Sequence, residues 1–343
     1  MTNYYQILTQ SLSICSDDPL FLKAFFDDYQ WFEVEDHKNV DMPVGLFDNH
    51  LYINGRVIDL SGHPTPGHVA FQLIVSEIMS RLNKNFYLIH AGVLKRDNEL
   101  IVLSGPSGIG KSTLVKMLVS NQFDYFSDDC APLHKNTGKI YPFPRSMWIV
   151  DNQSSSNVIR KKKMLTIHSQ CKACLDPIKP TIIICLIDDV SHTQWVKLNL
   201  SLKSTDNHLI DALEKIPNLS LSKRDPVYPE YRMCYPVASD ETRKAIQRVV
   251  NQYNQHLWTI YRVPPLRQCF TRQASIMPVT AHKAASNIIT EMKMLEPVMT
   301  KSKNGSLMTA LMEISGHIQG ASCYYLFTGH LDSEVDCINK VCR

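Results

Sequence analysis

No stretch of this 343-residue chain is apolar for long enough to cross a bilayer. The longest strongly apolar run, Thr181-Ile182-Ile183-Ile184-Cys185-Leu186-Ile187, has the length of a buried strand. The N-terminus, Met1-Thr2-Asn3-Tyr4-Tyr5-Gln6, lacks the early positive charge and apolar segment of a secretory signal, so a cytoplasmic protein without a membrane span is expected. Charge imbalance is slight, at a formal +3, and no long basic stripe with interleaved aromatics is present, which argues against nucleic acid as a partner. The one dense basic run, Arg160-Lys161-Lys162-Lys163, reads as a solvated loop or as a contact for an acidic segment or phosphate. A disulfide framework is missing too: ten cysteines are scattered over the chain, several inside apolar runs, and reduced, mostly buried thiols are expected. His168, Cys171 and Cys174 have metal-like spacing, but no fourth ligand lies nearby in sequence, and the expectation for these thiols is burial beside the strand at 181. There is no internal repeat and no low-complexity segment. With 44% hydrophobic and 20% charged residues, wholesale disorder is excluded, and the length suits one large domain or two smaller ones.

What the chain does have is Gly105-Pro106-Ser107-Gly108-Ile109-Gly110-Lys111-Ser112-Thr113, which fits the phosphate-binding pattern G-x-x-x-x-G-K-[ST] at every fixed position. The flanks agree with it. Glu99 to Ser104 is a short apolar run ending at the first glycine, and Ser112 to Ser120 reads as a helix with Leu114, Val115, Leu118 and Val119 on one side. Glycines let backbone N–H groups converge on phosphate oxygens where a Cβ would obstruct. The helix N-terminus adds partial positive charge, Lys111 can reach the outer phosphates, and the Ser112 hydroxyl can ligate Mg²⁺. A nucleoside triphosphate such as ATP, with Mg²⁺, is the implied ligand.

Residues 1–67 mix short apolar segments with turn residues and predict a small mixed α+β lobe: strands at Ser11 to Cys15 and around the turn after Phe47, and a helix from Pro19 to Phe26. The breaker cluster Ser61 to Gly67 is a plausible hinge, followed by a helix over Val69 to Leu82. Residues 68–343 are then the nucleotide-binding and catalytic domain. Phe86 to Leu94 reads as one strand leading to the strand before the glycine loop. Beyond the loop helix, Phe123 to Ser127 reads as a strand followed by Asp128 and Asp129. If that strand runs parallel to the one ending at Ser104, the two carboxylates return to the edge that carries the loop. Residues 151–163 predict a surface loop, Thr181 to Ile187 and Trp195 to Leu202 strands, Ala238 to His256 a helix, and Leu257 to Val263 a strand. Ala281 to Leu295 and Ser306 to Ile318 read as helices, Ser322 to Phe327 as a strand, and Asp332 to Val341 as a terminal helix.

Paired aspartates at a strand end can serve phosphoryl transfer, one ligating the metal and the other, beside a like charge, taking the acceptor's proton. A further cation at the γ-phosphate would help; Arg145 is the first candidate, with Arg267 and Arg272 next.

The order His90-Ala91-Gly92-Val93, Gly105 to Ser112, then Ser127-Asp128-Asp129 resembles the core of the HPr kinase/phosphorylase group and its relatives, which share a fold with phosphoenolpyruvate carboxykinases. Tyr324 to Phe327, followed by Asp332 and a terminal helix, is similar to the ending of such chains. The resemblance implies an α/β phosphate-loop domain of that type and serine phosphorylation of a protein or peptide. It makes Lys111 and Ser112 the phosphate and Mg²⁺ ligands, Asp128 the general base, Asp129 a metal ligand, and His90 a hydrogen-bonding neighbour of the carboxylate pair. The glycine- and arginine-containing signature with which HPr kinases engage their protein substrate is absent, which sets HPr aside. Relatives in gene clusters that modify ribosomally made peptides, lasso-peptide precursors included, make such a peptide the implied acceptor. A small-molecule kinase on the same core and a non-catalytic, nucleotide-gated interaction module are the alternatives. A transport-type ATPase is disfavoured by the lack of an L-S-G-G-Q-like signature. The oligomeric state stays open, a homo-oligomer included.

Overall fold

The computed structural model describes residues 2–35, 40–63, 65–106, 108–150, 162–165, 176–187, 195–201, 207–223, 230–236, 240–252, 257–263, 272–290, 292 and 305–342. The protein is α/β with mixed sheets. Among the described residues no helix is long and apolar enough to cross a membrane.

The first sheet is formed by β1 (Thr2–Ile7), β2 (Gln10–Ser16), β3 (Glu33–Val34), β4 (Met42–Phe47), β5 (His50–Ile53) and β6 (Arg56–Asp59), in the order β3-β1-β2-β4-β5-β6. Alternation fixes its faces: Leu12, Ile14, Val44, Leu46, Leu51 and Ile53 are buried, while Pro43 and Tyr52 are exposed. Between β2 and β3 lies α1 (Pro19–Tyr29). Asp18 starts it by accepting from the Leu20 and Phe21 amides, and Phe21, Phe25 and Tyr29 face the sheet. Helix α2 (Pro66–Leu82) adds Ala70, Ile74, Ile78, Met79 and Leu82 to the same apolar cluster, which continues into Phe86, Leu88, Cys130 and Phe143. The end of the breaker cluster, expected as a hinge, is therefore helix: Pro66 and Gly67 form the first turn, where the N–H that proline lacks has no helical acceptor.

Next come β7 (Phe86–Ile89), β8 (Ala91–Arg96), β9 (Glu99–Ser104), α3 (Lys111–Ser120), β10 (Asp124–Ser127), β11 (Ala131–His134), β12 (Met147–Val150), β13 (Lys162–Leu165) and β14 (Ile182–Ile187). A separate four-stranded sheet follows from β15 (Trp195–Ser201), β16 (Ser220–Lys223), β17 (Glu230–Pro236) and β18 (Leu257–Val263), with α4 (Asn207–Glu214) and α5 (Asp240–Gln252) forming their own cluster around Leu209, Leu213, Ile246 and Val250. The chain returns through β19 (Ser275–Val279), α6 (Ala281–Thr290), α7 (Gly305–His317), β20 (Ser322–Phe327) and α8 (Leu331–Val341).

The central sheet has the order β10-β8-β9-β14-β20-β19. Strands β9, β14 and β20 are mutually parallel, and their apolar runs are covered on both faces. Leu100, Val102, Ile183 and Cys185 pack towards α6 and α7, whereas Ile101, Leu103, Ile182, Ile184 and Leu186 pack towards α3 and α8. The six cysteines whose side chains are described are free thiols, and all but Cys15 are buried. Two sequence expectations are corrected. Phe86 to Leu94 is broken at His90, with β7 pairing β11 while β8 pairs β10 and β9. Lys162 and Lys163, expected in a loop, belong to β13, which pairs with β12.

Candidate phosphate-loop and carboxylate site

Strand β8 lies antiparallel to both β9 and β10, so β9 and β10 run in the same direction with β8 between them. The carboxyl ends of β9, at Ser104, and of β10, at Ser127, thus reach one edge of the sheet, opposite Ala91 and Val93 near the start of β8. Asp128 and Asp129 follow Ser127 directly and share the edge with Gly105. The parallel orientation expected for the two strands holds, with β8 interposed.

The break at His90 explains a second meeting. Three residues, His90 to Gly92, separate the β7 position paired with Ala131 from the β8 position paired with Ser127; three residues, Asp128 to Cys130, separate Ser127 from Ala131. Both segments switch sheets at the same place and face each other. His90 Nε2 lies 3.0 Å from Asp129 Oδ1, and a Cβ on Gly92 would stand 3.6 Å from Asp128 Oδ1. The aspartate turn is closed by the Ser127 hydroxyl, which donates to the Cys130 carbonyl, and Asp129 takes a left-handed φ of 66°. Aspartate tolerates that conformation better than most residues.

Between β9 and α3 the chain makes the glycine loop. Gly108 and Gly110 have φ of 83° and 95°, a region that disfavours any Cβ, and Gly110 caps α3. A Cβ at Gly105 would stand 3.0 Å from the Leu186 carbonyl oxygen. Ile109 is buried, its amide donating to the Pro106 carbonyl at 3.2 Å, while Pro106 and Thr113 are half-buried. Ser107 lies outside the described residues. Lys111 is buried with its ammonium turned back to the loop, donating to the carbonyls of Gly105 at 2.5 Å and Pro106 at 3.1 Å.

Ser112, on the first turn of α3, neighbours the Asp128 carboxylate and favours its charged form. Asp128 is 3% exposed, and its Oδ1 has no hydrogen-bond partner among the described residues. A buried carboxylate oxygen left in that state marks a place for a proton or a cation. Burial first, and then the neighbouring Asp129 charge, push the Asp128 carboxyl up to about 6, against the opposing pull of Ser112 and Lys111. Asp128, Asp129 and Ser112 together offer hard oxygen donors of the kind Mg²⁺ takes.

The arginine candidates lie in different places. Arg145 is half-buried and engages the N-terminal lobe: its Nε donates to Asp28 Oδ2 at 3.0 Å, a second guanidinium nitrogen contacts the same oxygen, and the group stacks 4.9 Å over the Tyr29 ring. Arg272, just before β19, sits at the carboxyl edge three strands from β9, donating to the Thr328 carbonyl at 2.8 Å, where Thr328 caps the end of β14 through Ile187. Arg267, Arg160, Lys161, His168, Cys171 and Cys174 lie outside the described residues. Asp28 and Tyr29 are not among the sequence candidates; contacts with Arg145 more than a hundred positions away leave no local signal. Compared with protein-family models and with curated proteins, the chain matches none.

Proposed function

We propose that the chain is an ATP- and Mg²⁺-dependent kinase, with a phosphate-loop domain of the HPr kinase/phosphoenolpyruvate carboxykinase type, that phosphorylates a hydroxyl, serine above all, on a peptide or protein. One observation carries the reading: the buried Asp128 carboxylate, whose Oδ1 has no hydrogen-bond partner among the described residues, lies within the electrostatic influence of Lys111 and Ser112 of the glycine-loop motif. A phosphate loop alone binds nucleotide; a loop joined to a buried carboxylate pair can also hold a metal and move a proton.

In this reading the α3 N-terminus and Lys111 bind the triphosphate, Lys111 exchanging the Gly105 and Pro106 carbonyls for phosphate oxygens. Ser112 and Asp129 hold Mg²⁺, which when bound offsets charge on the donor phosphates. Asp128 accepts the proton of the acceptor hydroxyl as that oxygen bonds to the γ-phosphorus and the bond to the bridging oxygen breaks, releasing ADP. A carboxyl titrating near 6 is largely ionised at neutral pH yet more basic than an exposed aspartate. His90 orients Asp129. A ribosomally made precursor peptide is the acceptor class that the resemblance of residues 86–133 suggests.

The test is to incubate the protein with γ-labelled ATP, Mg²⁺ and the peptides and small proteins encoded beside its gene, and to look for a mass gain of one phosphate. A labelled serine that disappears with Asp128→Asn supports the kinase. Nucleotide binding without labelling of any peptide would move the reading to a small-molecule acceptor or a nucleotide-gated module.

A further inference from the structure

Strand β10, which leads into the carboxylate pair, lies at the end of the central sheet, and a later segment of the chain runs along it. Phe143 bridges Ser127 in parallel, its amide donating to the Phe126 carbonyl at 3.2 Å. The Ser127 hydroxyl is within hydrogen-bond reach of two carbonyls, that of Phe143 at 3.2 Å and that of Cys130. One hydroxyl thereby closes the turn around Asp128 and ties it to the segment. Further on, the Tyr125 hydroxyl of β10 donates to the Arg145 carbonyl at 2.8 Å. The last turn of α1 holds the same segment from the N-terminal lobe. Asp28 Oδ2 accepts from Arg145 Nε at 3.0 Å and from a second guanidinium nitrogen, while Asp28 Oδ1 accepts from the Ser146 amide at 3.2 Å. The Ser146 hydroxyl donates to the Asp27 carbonyl at 2.7 Å, and the Phe143 ring lies 6.5 Å from that of Tyr29 and 5.3 Å from that of Phe32.

Two features of this clamp go beyond adhesion between the lobes. In Tyr141-Pro142-Phe143-Pro144-Arg145 the three central residues have one amide N–H among them, so the backbone can grip β10 at Phe143 but cannot by itself fix where along the strand the segment sits. The Asp28–Arg145 pair, in turn, is largely buried, with side chains 4% and 13% exposed. Desolvation consumes most of the Coulombic gain of such a pair, and apolar residues would join α1 to the segment as firmly. What a carboxylate with both oxygens engaged adds is register, because it accepts from Arg145 and Ser146 together at one position of the segment only. A slip would withdraw the Phe143 carbonyl from Ser127, and the turn around Asp128 would lose its tie. Asp128 needs that tie: it is 3% exposed, its Oδ1 has no hydrogen-bond partner among the described residues, and a carboxylate in that state moves to water unless its backbone is held.

We propose that Asp28 is a positioning residue for Asp128: it sets the register of residues 143–146 along β10, and that register holds the turn that keeps the Asp128 carboxylate buried beside the glycine loop. The proposal rests on the reading of Asp128 as the proton-accepting carboxylate of the phosphoryl-transfer site. It makes the last turn of α1, in the N-terminal lobe, part of the support of that site.

The experiment is a double-mutant cycle between positions 28 and 128, read as melts of the full-length protein in EDTA at pH 7.5 and pH 4. In the wild-type background Asp128→Asn should raise Tm by about 3 °C at pH 7.5 and not at pH 4. The same substitution is then made in Asp28→Leu/Arg145→Met, an apolar pair that keeps the lobes joined, and in Phe25→Leu, which loosens α1 against Tyr29 and Phe71 but leaves Asp28 in place. With the register lost, Asp128 reaches water, so the gain from Asp128→Asn at pH 7.5 should fall below about 1 °C in the apolar pair. Phe25→Leu should keep the gain whole. A gain of wild-type size in the apolar pair, or a gain lost equally in Phe25→Leu, would show that Asp28 only joins the lobes. Should the apolar pair not fold, Asp28→Asn replaces it, since its one acceptor oxygen cannot hold Arg145 and Ser146 together, and the same two outcomes decide. The melts need neither nucleotide nor acceptor, so the two readings fail separately. A gain lost on changing Asp28, with no phosphate transferred to any acceptor, overturns the kinase alone; a gain that survives the change overturns the positioning role alone.

Discussion

Replacing Asp128 by asparagine should stabilise the protein while disabling the proposed site. The carboxyl titrates near 6 in the fold, where burial and the Asp129 charge oppose its ionisation, against 3.8 for an unperturbed aspartate. Ionising it inside the fold at pH 7.5 therefore costs about 3 kcal/mol relative to the unfolded chain. The sign follows from the raised value: the penalty is absent below about pH 4, appears as the pH rises towards 6, and is complete above it. Asparagine keeps the shape, but it buries an amide N–H₂ whose imperfect pairing costs about 1 kcal/mol. The net gain is about 2 kcal/mol, or on the order of 3 °C in Tm for a chain of this size. Melts of wild type and Asp128→Asn in EDTA between pH 4 and 8 are the assay. The difference in Tm should be positive at pH 7.5 and shrink to zero or below near pH 4. A variant less stable at pH 7.5, or a difference that does not change with pH, would show that Asp128 is not held ionised against its surroundings.

Other outcomes follow from the same geometry. Gly92→Ala places a Cβ in overlap with Val115 Cγ2 of α3, and should cost about 1–3 kcal/mol in a melt and weaken nucleotide binding in calorimetry; normal binding would mean that α3 can move without consequence. Lys111→Ala should raise the Kd for nucleotide and lower turnover together, and unchanged turnover would remove the glycine loop from the mechanism. Asp129→Ala and Asp129→Gly both lose the His90 contact, but only alanine suffers at a φ of 66°, so alanine should melt lower by about 1 kcal/mol while the two lose Mn²⁺ binding equally.

The parts of the site that a local pattern specifies are those the sequence made legible. Strand, glycine loop and helix are contiguous from Glu99 to Ser120, and the conformations that Gly108 and Gly110 adopt are the reason glycine stands there. The return of Asp128 to the same edge could be read from strand direction alone. The break at His90 could not, because Phe86 to Leu94 is uniformly apolar apart from that histidine, and only the pairing of β11 with β7 shows that the strand changes sheets. Strands β1, β16 and β17 carry polar residues through much of their length, which hid them. Arg145 is singled out in the sequence as a cation for the γ-phosphate, whereas its partner in the structure, Asp28, 117 positions away, has no signature there.

Placing an antiparallel strand between the loop strand and the carboxylate strand creates a distance that the fold has to close. Two strand spacings separate β9 from β10, about 10 Å, too far for a residue at the end of β9 to touch Asp128 directly. Helix α3 spans the gap by lying across β8, which brings Ser112 from the β9 side to the carboxylate on the β10 side. It can lie close enough because position 92, directly beneath it, has no side chain: a Cβ there would stand 2.4 Å from Val115 Cγ2. Gly92 belongs to neither the glycine loop nor the aspartate pair, yet the junction between them depends on it. A chain could keep every residue of both motifs and still lose the site by gaining one methyl group at this position.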